Sequence, residues 1–219
     1  MLRGVFVTGT DTGVGKTAVC AALVYRYRAT EAVRYWKPVQ TGFDRDDDTA
    51  EVARLSGCTT ERILARGIRL PRPVSPHLAA QLSGQSIDLD ALAAMPSAEA
   101  AASWIVEGAG GVLVPLTKSA MMVDFIGILG LPAIVVARTA LGTINHTLLT
   151  LEALRHRSVR VAGVVMVGPL DVENRGAVER YGGTEVIGEL PTFDPLTPNV
   201  LQQWAATALD PRGLVGVHL

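Results

Sequence analysis

Residues Gly9 to Thr17 read Gly-Thr-Asp-Thr-Gly-Val-Gly-Lys-Thr, and this stretch decides the fold class. It follows the apolar run 4–7, which is typical of a buried strand, and it precedes residues 18–28, which have a helical pattern. A glycine-rich turn between a strand and a helix points backbone N–H groups inward, where they can hold phosphate oxygens. Lys16 adds a mobile positive charge, and the Thr17 hydroxyl is a ligand for Mg²⁺. The stretch therefore predicts a nucleoside triphosphate site.

The spacing of this loop departs from the usual phosphate-loop pattern at one position. The residue five before Gly15 is Thr10, and the expected glycine lies one residue earlier, at Gly9. A chance glycine-rich turn is the alternative. The strand–turn–helix context and the Gly-Lys-Thr ending favour phosphate binding.

The composition fits a single domain spanning residues 1–219. The formal net charge of −1 indicates no basic surface for nucleic acid or for an anionic membrane. Cys20 and Cys58 lack the spacing of a metal site or a disulfide framework. The longest apolar run, residues 126–137, is too short to span a bilayer. We therefore expect a cytoplasmic protein that binds neither nucleic acid nor membrane.

Short runs rich in β-branched residues alternate with helical patterns along the chain. The predicted strands are residues 5–7, 34–36, 104–106, 133–137, 161–167 and 185–187. The predicted helices are residues 18–27, 49–55, 76–82, 123–129, 144–154 and 172–181. The proline-rich residues 66–76 are expected to form an extended loop. The alternation predicts a three-layer α/β fold, with a mostly parallel sheet flanked by helices on both faces. In such folds ligands bind beyond the carboxyl ends of the strands.

Two groups of polar residues follow the second predicted strand. Lys37 precedes a proline that keeps it extended, so its ammonium either reaches a phosphate at the ligand edge or lies on the surface. Residues 46–48 are three aspartates before a helix, and one of them is expected to cap that helix. A Mg²⁺–triphosphate site takes one or two carboxylates, and we assign Asp48 to this role.

The second informative motif is residues 106–111, Val-Glu-Gly-Ala-Gly-Gly. A carboxylate at the end of a buried strand can reach Mg²⁺, directly or through water, and the glycines let backbone approach a phosphate or substrate. The alternative is a glycine-rich turn in which Glu107 faces only a helix end. The phosphate loop upstream favours the metal role.

A third group lies in residues 141–147, Leu-Gly-Thr-Ile-Asn-His-Thr, which open a helix after a core strand. Free N–H groups at a helix N-terminus attract a carboxylate or phosphate, and the Asn145 amide can add a hydrogen bond. The simpler alternative is that Thr143 is an ordinary N-cap. We assign no role to His146. Residues 75–77, Ser-Pro-His, favour an N-cap followed by proline at the first helical position.

Together these motifs resemble those of the dethiobiotin synthetase family, which has the P-loop NTPase fold. The resemblance covers roughly residues 1–165, in the family's order and spacing. The matching pieces are residues 8–17, 37–42, 75–77, 106–111 and 141–146. Looser forms of the second and fourth pieces occur in related amidotransferases, so the combination is what indicates the family.

The resemblance implies an ATP- and Mg²⁺-dependent ligase that joins CO₂ to 7,8-diaminononanoate. One amine of the substrate forms a carbamate, and the carbamate oxygen attacks the γ-phosphate to give a carbamic–phosphoric anhydride. The second amine closes the cyclic urea, releasing phosphate and dethiobiotin. Because the carbamate is itself the nucleophile, positioning and electrostatics should dominate the catalysis.

By matching positions, the resemblance also implies roles for individual residues. Lys16 and Lys37 would stabilise the transferring phosphoryl group and the carbamate, with Thr12 in the loop on the substrate side. Thr41 would hydrogen-bond the carbamate or its amine. The residues expected to hold Mg²⁺ are Thr17, Asp48 and Glu107.

The resemblance also implies which residues contact the nucleotide and that the protein forms a dimer. The residues expected to contact the nucleotide are Gly13, Val14, Gly15, Lys16, Thr17, Ala18, Asp48, Glu107, Gly108, Ala109, Gly110, Gly168, Pro169 and Pro191. The family binds its substrate at a two-fold dimer interface, which implies a homodimer. The residues of the second subunit that would take the substrate's distant carboxylate are Gly142, Thr143, Ile144 and Asn145.

The chain departs from many family members at two places. Many of them end the fifth strand with Asn-Asp, which recognises adenine, whereas here residues 167–169 are Val-Gly-Pro. Many also carry an acidic residue where Gly13 lies. ATP is therefore the default nucleotide, with CTP or a broad preference left open, and backbone near Gly168 and residues 190–192 would contact the base.

Three alternatives compete with this interpretation. A ParA/MinD-like regulatory ATPase usually has a second lysine early in its phosphate loop, where residues 10–12 here are Thr-Asp-Thr. A cobyrinate-type amidotransferase would need a glutaminase domain and a Cys–His pair, and neither is evident. A binding protein without turnover is disfavoured because Lys16, Lys37, Asp48 and Glu107 are all present.

Overall fold

The computed structural model describes residues 2–96 and 102–219, and it is built around a sheet of seven parallel strands. The strands of this sheet are β1 (Arg3–Gly9), β2 (Val33–Trp36), β4 (Ile63–Leu64), β6 (Ser103–Gly111), β7 (Ala133–Arg138), β8 (Val161–Val167) and β9 (Val186–Leu190). Their spatial order is β4-β2-β6-β1-β7-β8-β9, with every neighbouring pair parallel. A second, two-stranded parallel sheet pairs β3 (Val39–Thr41) with β5 (Ile68–Leu70).

Helices connect the strands and cover both faces of the sheet. They are α1 (Lys16–Tyr27), α2 (Asp48–Ser56), α3 (Pro76–Leu82), α4 (Leu89–Ala94), α5 (Met122–Leu129), α6 (Thr143–His156), α7 (Val172–Gly182) and α8 (Pro198–Thr207). Short 3₁₀ turns occupy Thr60–Arg62 and Gly216–His218.

Side chains along each buried strand point alternately to the two faces of the sheet, so the core has two layers. One layer joins the strands to α1, α2 and α8, and it includes Val7, Tyr35 and Ile105. The opposite layer joins them to α5, α6 and α7, and it includes Trp36 and Val106. Because successive strand residues point to opposite faces, residues adjacent in sequence lie in different layers.

The predicted fold class is confirmed, since the sheet is parallel and has helices on both faces. All six predicted strands and all six predicted helices are present, with ends shifted by a few residues. The extended loop predicted for residues 66–76 is wrong in part, because residues 68–70 form β5 and pair with β3. Both strands have only three residues, too few for periodicity to reveal them, and their pairing is a tertiary contact.

The chain after β9 contains a helix that the sequence pattern did not predict. Helix α8 lies against α1 and α2, with Leu201, Trp204 and Ala205 buried. The segment beyond it is held by Asp210, whose carboxylate accepts hydrogen bonds from the Tyr27 hydroxyl and from the backbone N–H groups of residues 214 and 215. Residues 198–219 therefore complete the core on this face.

The strand order brings the polar strand ends together. Strand β6 lies between β1 and β2, so the phosphate loop after β1, the residues after β2 and the end of β6 meet at one edge. Tyr35 pairs with Ile105 in the β2–β6 register, and continuing that register by two residues sets Lys37 opposite Glu107. Parallel pairing thus puts an ammonium beside a carboxylate on one face of the sheet.

Among the residues described, no helix is both long and apolar enough to cross a membrane.

The buried carboxylate of Asp210 generates a prediction about stability. We expect Asp210→Ala to lower the free energy of unfolding by about 3 kcal/mol, because it leaves three donors, two of them buried, without their acceptor. We expect Tyr27→Phe to cost only about 1 kcal/mol, because the carboxylate keeps its two backbone donors. Urea unfolding followed by circular dichroism measures both values. Equal midpoints for wild type and Asp210→Ala would contradict the anchoring role.

Candidate active site

The phosphate loop holds a conformation that depends on its glycines. Gly13 and Gly15 have φ angles of 71° and 96°, in the left-handed region that favours glycine. A Cβ on Gly15 would also lie 3.1 Å from the Val167 side chain at the end of β8. The loop is therefore fitted closely between β1 and β8, and α1 begins directly after it at Lys16.

Lys16 folds back over this loop. Its ammonium donates a hydrogen bond to the backbone oxygen of Asp11 at 2.9 Å. Burial, together with the nearby charge of Lys37, lowers the pKa of Lys16 to about 8. A phosphate beside the ammonium would counter both effects, so anion binding favours the charged form.

Four side chains, from α1, α2, β6 and the residue after β2, converge beside the loop. The Thr17 hydroxyl lies 2.9 Å from Asp48 Oδ1 and 3.0 Å from Glu107 Oε1, so it can donate to either. Lys37 Nζ lies 2.6 Å from Asp48 Oδ2 and 2.7 Å from Glu107 Oε1, and it also donates to the Gly108 carbonyl at 3.2 Å. The sequence separates these residues widely, and the β1, β2 and β6 strand ends bring them together.

Lys37 remains charged although it is almost completely buried. Burial alone would lower its pKa, but the carboxylates of Glu107 and Asp48 outweigh that effect and raise it. For Asp48, burial favours the neutral form, yet the Lys37 ammonium lowers the pKa of the carboxyl group below its ordinary value. The alternative of a surface lysine is excluded by this burial.

The donor set beside the loop fits a magnesium ion. Thr17, Asp48 and Glu107 present one hydroxyl and two carboxylates within a few ångströms of one another, and Mg²⁺ binds through such oxygens with phosphates and water completing its shell. In residues 2–96 and 102–219 no group of three or more His, Cys, Asp or Glu side chains could hold a metal. Three protein oxygens would leave coordination positions of a Mg²⁺ ion for phosphate oxygens and water.

Two of the three consecutive aspartates, Asp47 and Asp48, make different contacts in the structure. Asp47 caps α2, with its carboxylate accepting from the N–H groups of Thr49 and Ala50. Asp48 is the first residue of that helix and turns toward Lys37. The expectation that one aspartate caps the helix while Asp48 faces the site agrees with these contacts.

A cleft of about 900 Å³ opens over this cluster. The predicted site residues that line it are Thr12, Gly13, Gly15, Lys16, Thr17, Ala18, Lys37, Thr41, Asp48, Glu107, Ala109 and Gly110. The lining residues that sequence reasoning did not select include Gln40, Arg45, Glu51, Pro73, Val74 and Val114. Gln40 lies within residues 37–42, one of the pieces that match the family. Pro73 and Val74 follow β5, whose pairing with β3 the sequence pattern did not reveal.

The remaining predicted residues do not line this cleft. They are Val14, Gly108, Gly142, Thr143, Ile144, Asn145, Gly168, Pro169 and Pro191. Val14 is buried, packing against Gly9, and the Gly108 carbonyl accepts from Lys37. The others lie at the ends of β7, β8 and β9, on the far side of the phosphate loop from β2.

The N-terminus of α6 is exposed and carries an unpaired hydroxyl. Gly142 caps the helix with φ 92°, so the alternative that Thr143 is the N-cap is wrong. The cap needs the left-handed backbone that glycine adopts readily. Thr143 Oγ1 is buried and has no hydrogen-bond partner among the described residues. Asn145 is exposed, and the Leu141 side chain is completely exposed.

The end of β8 offers backbone rather than side-chain groups. The N–H of Gly168 donates to the Leu190 carbonyl at 2.9 Å, which ties β8 to the end of β9. The nearest amide side chain, Asn174, is engaged with the Thr139 carbonyl and the Asp171 carboxylate. The β8 end therefore has no free carboxamide in the part of the chain that the structure describes.

Comparison with known proteins finds relatives that match most of the chain. A family model described as an AAA domain matches residues 3–200. The ATP-dependent dethiobiotin synthetase of Agrobacterium fabrum is 47% identical over 197 residues, which cover 90% of each chain. That of Rhodopseudomonas palustris is 42% identical over 216 residues, 99% of each chain. The chain belongs to the dethiobiotin synthetase family. The resemblance drawn from the sequence motifs is thereby confirmed.

A solved structure gives the wider fold. A ParA-family ATPase from Chlorobium tepidum aligns with 98% of this chain and 97% of its own length, with a TM-score of 0.58 and 12% identity. At that identity the likeness shows the fold alone. The two chains thus share the P-loop NTPase fold.

The lowered pKa of Lys16 predicts how nucleotide affinity depends on pH. The protonated ammonium binds phosphate, so affinity should fall as pH rises above about 8, by up to tenfold per pH unit. Calorimetric titration with ATP and Mg²⁺ from neutral pH to about pH 10 measures this dependence.

The matched control for this prediction is Lys16→Arg. Its guanidinium does not lose its proton in this range, so its affinity should be weaker but independent of pH. A wild-type profile as flat as that of Lys16→Arg would contradict the lowered pKa.

Proposed function

We propose that this protein is an ATP-dependent dethiobiotin synthetase that joins CO₂ to 7,8-diaminononanoate and closes the ureido ring. The observation that supports the proposal most strongly is Lys37. A buried ammonium held between Asp48 and Glu107, beside a phosphate loop, is suited to a reaction in which two anions must meet. The family relatives, named ATP-dependent dethiobiotin synthetases, supply the reaction.

The chemistry assigns a distinct task to each cation. The carbamate formed from one substrate amine is an anion, and so is the γ-phosphate that it attacks. Lys16, over the phosphate loop, would offset charge on the transferring phosphoryl group, and Lys37 would offset charge on the carbamate side. Thr41 lines the same cleft and would hydrogen-bond the carbamate or its amine, and Thr12 lines it from the phosphate loop on the substrate side. The second amine then displaces phosphate from the mixed anhydride without a covalent enzyme intermediate.

Magnesium would be held by Thr17, Asp48 and Glu107. When bound with the nucleotide, it supplies charge neutralisation to the phosphates. In the structure, Lys37 bridges the two carboxylates. Binding of the metal with the nucleotide would compete with Lys37 for these oxygens. The Lys37 ammonium would then be free to turn toward the substrate. The nucleotide's phosphates would lie on the loop formed by Gly13, Val14, Gly15 and Ala18, with Gly108, Ala109 and Gly110 alongside.

The base of the nucleotide would contact backbone near Gly168, Pro169 and Pro191. The support for this placement is that Gly15 of the phosphate loop lies against Val167, at the end of β8. ATP is the proposed co-substrate, and the missing carboxamide leaves CTP or a broad preference open.

We also propose a cytoplasmic two-fold homodimer in which each substrate site takes residues from both chains. The support is the α6 N-terminus, where Leu141 is completely exposed and the buried Thr143 hydroxyl has no hydrogen-bond partner among residues 2–96 and 102–219. Gly142, Thr143, Ile144 and Asn145 are absent from the cleft of their own chain, and those of a partner would receive the substrate's carboxylate.

The experiment that tests the function measures incorporation of labelled bicarbonate into acid-stable product. Label fixed only when diaminononanoate, Mg²⁺ and a nucleotide are all present supports the ligase, and the ratio of ATP to CTP rates gives base preference. A folded protein that hydrolyses nucleotide without fixing label would contradict the synthetase proposal and favour a regulatory ATPase.

We expect the Lys37→Ala variant to lose turnover but to keep nucleotide binding at the phosphate loop. We expect the rate of label fixation to fall by about a thousandfold, because charge stabilisation at the reacting centre is removed. Lys118→Ala, at an exposed lysine, is the matched control and should leave the rate unchanged. Near-normal fixation by Lys37→Ala would remove this residue from the mechanism.

If each site takes residues from both chains, two different defective variants should regain activity when they form mixed dimers. Asn145→Ala should raise the KM for diaminononanoate, whereas the KM for ATP should stay unchanged. An equal mixture of Lys37→Ala and Asn145→Ala chains, refolded together, should recover about a quarter of wild-type activity at low diamine concentration. Each mixed dimer then carries one intact site. No recovery above the separate variants would contradict a site built from two chains.

A further inference from the structure

Tyr35 lies outside all the sequence motifs described above, yet it contacts the candidate active site. Its hydroxyl donates a hydrogen bond to Glu107 Oε2 at 2.8 Å, and its side chain is completely buried. Glu107 Oε1 faces the other way, toward the Thr17 hydroxyl and the Lys37 ammonium. The two oxygens of one carboxylate therefore have separate partners.

The strand register explains why residue 35 reaches this carboxylate. Tyr35 pairs with Ile105, and Glu107 lies two residues farther along β6, on the same face of the sheet. A diagonal neighbour in a sheet is within reach of an aromatic side chain. Trp36, the adjacent aromatic residue, points into the opposite core layer and donates instead to the Arg66 carbonyl. A tyrosine one residue away in sequence would miss the site.

The hydroxyl on Oε2 restricts how the carboxylate can turn. A carboxylate with two equivalent oxygens can rotate and offer either or both to a cation. With Oε2 held by a buried donor, rotation would break a hydrogen bond in a region without solvent, which is costly. A phenol is protonated at neutral pH, so the Tyr35 hydroxyl acts as the donor to Glu107 Oε2.

Resting on the function proposed above, we propose that Tyr35 is a positioning residue for magnesium–nucleotide binding. It fixes Glu107 so that Oε1, and not Oε2, faces Thr17, Lys37 and the metal. It does not contact substrate or phosphate, since it is absent from the lining of the cleft. Donors that orient a ligand in this way commonly affect metal affinity by about 10- to 100-fold.

The experiment compares Tyr35→Phe with wild type in calorimetric titrations of ATP, with Mg²⁺ and with EDTA. We expect magnesium-dependent binding to weaken by about tenfold, while binding in EDTA stays unchanged. The concentration of Mg²⁺ for half-maximal label fixation should rise by a similar factor, with the KM for diaminononanoate unchanged. The calorimetric result needs no turnover, so it tests Tyr35 even if label fixation fails and the function proposed above is wrong.

Tyr27→Phe is the matched control, because it also removes a buried phenol that donates to a carboxylate, Asp210, outside the site. If both variants give wild-type binding in Mg²⁺, or weaken it equally, Tyr35 has no positioning role. A second test combines Tyr35→Phe with Glu107→Gln. A role exercised through Glu107 predicts no further loss in the double variant, whereas additive losses would overturn the proposal.

A further variant keeps the proposal testable if Tyr35→Phe does not fold. Replacing Tyr35 with 4-aminophenylalanine keeps the ring and an N–H donor at the same position. We expect this variant to bind ATP with Mg²⁺ within about twofold of wild type, because the orientation of Glu107 is preserved. A tenfold loss here would overturn the proposal.

Discussion

The site depends on one buried ion cluster, in which the Lys37 ammonium lies between the carboxylates of Asp48 and Glu107. Removing charges from water is costly unless each charge has partners, and an unpaired buried ammonium would give up its proton. Here the two carboxylates hold the pKa of Lys37 above its ordinary value despite burial. The cluster therefore keeps Lys37 protonated away from solvent, with its charge offset by two carboxylates.

The sheet supplies the geometry that this cluster needs. Lys37 follows β2 and Glu107 lies in the neighbouring parallel strand β6, and continuing the strand register sets the two residues opposite one another. Asp48 enters from the first turn of α2, while Asp47 caps that helix and fixes where it begins. The cluster is thus built on rigid elements, which suits chemistry that relies on preorganised charge. The phosphate loop lies beside it because β1 is the other neighbour of β6.

Charge and conformation at the site are linked through the same few atoms. Thr17 and Lys37 both contact Glu107 Oε1, while Oε2 accepts a hydrogen bond from Tyr35. A metal held by Glu107, as proposed above, would compete with Lys37 for Oε1. A shift of Lys37 from the carboxylates toward the carbamate would couple nucleotide arrival to activation of the second substrate.

The sequence by itself determined the fold class, the phosphate loop and the family. It also selected Lys37, Asp48 and Glu107, because a loop motif and residues at strand ends are local patterns with a fixed chemical meaning. Only the tertiary structure decided the β3–β5 pairing, the packing of α8 and the contact of Tyr35 with Glu107. These features rest on contacts between segments far apart in the chain. Periodicity reports which face of an element is buried, and it carries no information about which distant side chain that face meets.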